Sequence, residues 1–86
     1  MNAQRRKALR VIITKLEELD SLRQEIQERL QEVMDEEQEA LGNMPESLQE
    51  SERGQQMQEY IDTMESVNTE LDYADLEGML DLLREI

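Results

Sequence analysis

Between Leu9 and Ala40, apolar residues return at alternating intervals of three and four. Leu9, Ile12, Leu16, Leu19, Ile26, Leu30, Val33 and Ala40 fill this series, and Arg23 and Glu37 occupy its two remaining positions. Such spacing keeps one side of an α-helix apolar over many turns and is the pattern of helices packed along a seam. It constrains the fold because the sequence offers little else to build a core. There are two Tyr and no Phe or Trp in 86 residues. A short chain without large aromatic side chains must draw its core from Leu, Ile, Val and Met on helices, which argues against a compact β or α/β fold. The net charge of −13, from 22 acidic and 9 basic residues, would suit a disordered chain, but disordered acidic segments lack regular apolar spacing. The expectation is one all-α domain.

The order of helices follows from the breakers. A first helix is predicted over residues 4–41, with Gly42 closing it through a positive φ. Asn43 and Pro45 mark a restart, since proline is tolerated in the first turn of a helix, and PESLQ reads as a single turn inside a connection at 42–50. Ser51 is the predicted N-cap of a second long helix over 51–72, although Gly54 stands where a capping box would carry Glu or Gln. The seam then resumes at Met57, Tyr60, Met64, Val67, Leu71 and Ala74, with Ile61 alongside. A kink or break is expected between Leu71 and Gly78, with Asp75 capping a C-terminal helix over 75–86.

Two helical halves of similar length joined by a short turn make a coiled-coil-like antiparallel hairpin. Facing residues should then have numbers summing to roughly 90, which sets Glu37 opposite Arg53 and Arg23 among Glu65 and Glu70. These polar seam positions are expected to set the register. The same pairing lays the basic cluster Arg5, Arg6, Lys7, Arg10 and Lys15 beside Asp75, Glu77, Asp81 and Glu85. Val11, Ile13, Leu22, Met34, Ile61, Leu76 and Leu82 widen the apolar stripe beyond one helix contact. A homodimer forming a four-helix bundle, or a larger assembly, would bury them. The alternative is a three-helix monomer capped by a C-terminal segment that folds back.

Function is less legible than fold. With no His and no Cys, nucleophilic catalysis has no visible machinery, and the expectation is a protein that is not an enzyme and carries no cofactor. Glu32 with Asp35 or Glu36 has the spacing of a carboxylate pair in a metal-binding bundle, but such bundles also use Glu-x-x-His, so no metal is expected. The basic N-terminal helix has the look of a surface for phosphate, nucleic acid or membrane. Residues 16–86 carry 22 acids against four Arg, however, which disfavours nucleic acid. The absence of cysteine and of an apolar leader segment points to the cytoplasm, and no run approaches the ~18 apolar residues that span a membrane.

The central stretch EEQEALGNMPESLQESERGQQMQEYID, residues 36–62, resembles that of a family of small, uncharacterised helical proteins of bacteria and their phages and prophages. The resemblance rests on an N-x-P-E-S-L-Q-x-S-E-R-G turn, here Asn43, Pro45, Glu46, Ser47, Leu48, Gln49, Ser51, Glu52, Arg53 and Gly54, and extends to about residue 71 with a weaker echo in RRKALRVI. It implies a small phage-associated protein of the kind that binds host machinery. Three readings follow: an acidic helical module that docks on or inhibits a basic host protein, a self-assembling structural or scaffold element, and a sponge for a small anionic ligand. The candidate binding residues are Asn43, Ser47, Ser51 and Arg53 at the turn, where helix N-termini expose free N–H groups, and Arg5, Arg6, Lys7 and Arg10 at the N-terminus.

Overall fold

Asn2 begins the first helix by accepting a hydrogen bond on its side-chain oxygen from the Arg5 N–H at 2.8 Å, an N-cap that satisfies one of the free donors of the first turn. From there α1 runs without interruption over Ala3–Gly42. The computed structural model describes every residue from Met1 to Ile86 and contains three further helices, α2 (Glu46–Gln49), α3 (Glu52–Tyr73) and α4 (Leu76–Arg84). A helix of 40 residues is about 60 Å long at 1.5 Å per residue. The molecule measures 68 × 15 × 14 Å, so α1 spans nearly the whole rod and α3 and α4 return along it.

The way α1 ends differs from expectation. Gly42 is the last helical residue, and no residue in the chain has a positive φ. The chain leaves through Asn43, whose N–H donates to the Glu39 carbonyl at 3.0 Å, followed by Met44 N–H to Leu41 at 3.2 Å. These bonds satisfy the terminal carbonyls without a left-handed residue. Pro45 then opens the single turn of α2, and the Gln49 side-chain amide donates back to the Met44 carbonyl at 2.8 Å.

Ser51 caps α3 as expected, accepting from the Gly54 N–H at 3.4 Å while its own hydroxyl donates to the Leu48 carbonyl. Gly54 lacks a side chain for a packing reason. A Cβ there would stand 2.1 Å from the Gln49 carbonyl oxygen and 2.7 Å from that of Leu48, so the turn α2 rests directly on the backbone of α3. At the other end, the chain breaks at Ala74, and Asp75 caps α4 by accepting from the Gly78 N–H at 3.0 Å. α4 does not fold back as a third layer. It continues along the N-terminal half of α1, burying Leu76 and Leu80 and bringing Arg84 to 3.9 Å from Glu17, which replaces the three-helix monomer with an extended hairpin.

Register is fixed by Gln27 and Asn68, whose side-chain amides each donate to the other's backbone carbonyl, at 3.1 and 3.5 Å. Their numbers sum to 95, five more than expected. The single turn of α2 and its flanking bends occupy the connection, so the midpoint of the hairpin lies later in the chain.

The two loop-side glycines should respond oppositely to alanine. Gly54→Ala forces backbone apart and is expected to cost about 1–3 kcal/mol. At Gly42 a Cβ would meet nothing within 4 Å, and Gly42→Ala is expected to stabilise by about 0.4–1 kcal/mol through loss of unfolded-state freedom. Urea unfolding at one fixed protein concentration checks both.

Candidate functional site

The seam that α1 turns toward its returning partner comprises Leu9, Ile13, Leu16, Asp20, Arg23, Gln27, Leu30, Met34, Glu37 and Leu41, each buried or half-buried. One half of the expected series is present, and the other half is displaced by one residue. Ile12, Leu19, Ile26 and Val33 lie outside, and Ile13, Asp20, Gln27 and Met34 take their place. The same displacement occurs in α3, where Met57, Ile61, Met64, Asn68 and Leu71 are buried or half-buried along the seam while Tyr60 and Val67 stay exposed. Apolar residues at three positions per heptad permit two seams, and spacing alone does not choose between them.

Polar groups crowd the middle of the seam. Asp20 accepts from Arg23 Nε at 2.9 Å and from Gln24 Nε2 at 3.2 Å, and Arg23 Nη1 donates to Gln27 Oε1. Gln27 Nε2 crosses to α3, donating to Asp72 Oδ1 at 2.7 Å as well as to the Asn68 carbonyl. The Asp20 and Arg23 side chains are only 11% and 17% exposed, so the pair is held in a largely dry layer where charge and hydrogen bond reinforce each other. One atom in the layer, Asn68 Oδ1, is buried without a partner. Arg23 therefore pairs within its own helix rather than with Glu65 or Glu70, because the register brings Asp72 to its level instead.

The expected turn residues are not gathered in one depression. Asn43, Ser47 and Arg53 are exposed, and the Ser51 hydroxyl is engaged in capping. Arg53 lines an open depression with Glu52, Gln55, Gln56 and Glu59 that includes neither serine. No ion pair joins it to Glu37: the ion pairs of the structure are Arg23–Asp20, Arg29–Glu25, Arg84–Glu17 and Arg84–Asp81. At the N-terminus, Arg5, Arg6, Lys7, Arg10 and Lys15 are all exposed. They lie beside the C-terminal helix as expected, with Arg6 Nη1 donating to the Ile86 carbonyl at 3.1 Å and Arg6 and Arg10 flanking a shallow groove with Leu9, Ile13, Leu83 and Ile86. None forms an ion pair with Asp75, Glu77, Asp81 or Glu85. The one pair linking these helices has the opposite sense, its cation on α4 and its anion on α1. Asp35 accepts from Gln31 at 2.9 Å, and no three acidic residues converge where they could hold a metal ion.

What the structure presents most prominently is uncovered apolar surface. Only Met34, Ile61, Leu76 and Leu80 form a buried apolar core. Ile12, Leu19, Ile26 and Val33 on α1 and Tyr60, Val67, Met79 and Ile86 on the returning strand of helices remain 46–54% exposed. Each of the seven helical side chains sits three residues after or one residue before a seam position, on the same flank of its helix, and Ile86 follows Leu83 by three residues in the turn just beyond α4. For two antiparallel helices facing each other, that flank is the same side of the pair. The eight residues therefore form one face along the rod. No helix is long and apolar enough to cross a membrane. No protein-family model, curated protein or solved structure matches the chain.

The polar layer predicts an asymmetry in mutational cost. Gln27→Leu removes the acceptor of Arg23 Nη1 and the donor to the Asn68 carbonyl and Asp72 in a largely dry setting, and is expected to destabilise by about 1–3 kcal/mol. Arg29→Ala removes only a surface pair with Glu25 and should stay within about 0.5 kcal/mol. Paired urea titrations distinguish the two.

Proposed function

We propose that the chain is a non-enzymatic, cytoplasmic interaction module: an acidic helical hairpin that works by laying its uncovered apolar face against another helical surface. The observation that carries this reading is the single face formed by Ile12, Leu19, Ile26, Val33, Tyr60, Val67, Met79 and Ile86. Half-exposed side chains of this size offer on the order of 100 Å² each, so the face presents roughly 800 Å², the per-partner area of a standard stable interface. That exceeds the largest apolar patch of an ordinary monomer, about 300–600 Å².

The partner is a protein, since 22 acids against 9 bases repel phosphate backbones. A second copy of the chain is one such partner, which makes the molecule a self-assembling element. A basic host protein is the other, in keeping with the resemblance of the central turn to phage-associated proteins. The acidic outer surface would supply its attraction, which salt weakens. An anion-holding role for the turn has less support, because the Ser51 hydroxyl is used in capping and Arg53 shares its depression with Glu52 and Glu59.

A photo-activated cross-linking residue placed at Ile26 is expected to trap a protein partner in cells that make the chain, whereas the same residue at Glu28, on the outer side of α1, is not. Equal trapping at the two positions, or none at Ile26, would overturn the reading.

A further inference from the structure

Three features of the apolar face bear on what covers it. On α1 the stripe is symmetric about its own centre: Ile12 with Val33 and Leu19 with Ile26 each sum to 45, as do the helix ends Ala3 and Gly42. On the returning side Tyr60 with Ile86 and Val67 with Met79 each sum to 146. The two centres, between residues 22 and 23 on α1 and at residue 73 on α3, stand at one height along the rod, because the Gln27–Asn68 register pairs residues summing to 95. A stripe arranged this way is self-complementary under a two-fold axis crossing the rod at mid-length. Each apolar residue then meets an apolar residue of a second copy on both helices at once.

From this we infer that the occupant of the face is a second copy of the chain, stacked face to face with the two connecting turns at opposite ends, α1 on α1 and the α3–α4 side on its own counterpart. The inference rests on the interaction-face reading above and names its partner. Isologous contacts of this type close on themselves and end at a dimer, here a four-helix bundle.

Charge is in keeping with the same orientation. Residues 1–15 carry Arg5, Arg6, Lys7, Arg10 and Lys15 and no acid, and these cations form no ion pair within their own hairpin. With turns at opposite ends, they lie over the stretch of the second copy that carries Glu32, Asp35, Glu36, Glu37 and Glu39. With turns at the same end, α1 would lie over the second copy's α3 and α4, setting these cations against Glu77, Asp81 and Glu85 but bringing the two turns with Glu46, Glu50 and Glu52 together, which like-charge repulsion opposes. Leu22, exposed beside the stripe, falls at the two-fold axis.

The purified full chain is tested first by sedimentation equilibrium. A mass of twice 10.2 kDa is expected for the natural sequence and a single-chain mass for Ile26→Glu, with helical circular dichroism retained. Orientation is read from cysteine variants, since the chain has none of its own. A short bis-maleimide should join Leu22→Cys chains into covalent dimers and leave Ser47→Cys chains single. Ready cross-linking at Ser47 with none at Leu22 would overturn the antiparallel arrangement. A natural chain that remains monomeric at high micromolar concentration would overturn the self-pairing altogether, while partner capture at Ile26 in cells would leave the interaction-face reading standing.

Discussion

The exchange of hydrogen bonds between Gln27 and Asn68 governs the rest of the molecule. It sets α1 and α3 in one register, and from that register follow which side chains the hairpin hides and which it leaves outside. Polar groups in a helical seam are a poor source of stability, because desolvating Asp20 and Arg23 offsets much of what their pairing returns. They are effective at excluding alternatives. A slip of one turn would leave the Asp20–Arg23 pairing within α1 intact but break the bonds of Gln27 to Asn68 and Asp72, so the polar layer trades strength for a single alignment.

The consequence is a hairpin with a thin core. Four buried apolar residues hold together a rod 68 Å long, and a comparable quantity of apolar surface lies exposed in a row. Small chains with little core commonly gain stability from association. A long two-helix rod is suited to that, because it offers one whole side to a partner without disturbing its internal seam. The remaining sides carry the negative charge of a chain with 22 acids and 9 bases, so under the proposed pairing further copies would meet acidic surface instead of an apolar face.

Much of this architecture was legible in the sequence. Helix ends came through at Ser51 and Asp75, where a side-chain oxygen caps the first turn, and the break before Gly78 followed from the same local chemistry. What the sequence did not resolve was rotation. Ile12 and Ile13, or Val33 and Met34, are adjacent apolar residues, and either member of each pair completes a plausible heptad. The choice depends on long-range facts, the height at which Gln27 meets Asn68 and the direct seating of α2 on Gly54, that no periodicity contains. The expected partners of Arg23 and Arg53 failed for the same reason, each depending on a register five residues from the observed one. The turn residues cap a helix or lie on open surface, and the uncovered apolar face is made of residues whose spacing fits a seam equally well.

Small-angle X-ray scattering of the purified protein tests the proposed face-to-face pairing directly, since it reports mass, length and cross-section together. A single hairpin has a Cα radius of gyration of 20.0 Å and a length of 68 Å. Two hairpins stacked face to face over their full length should show twice the mass and a thicker cross-section at nearly unchanged maximum dimension. A single-chain mass with the dimensions of one hairpin, or a doubled mass whose length also doubles, would contradict it.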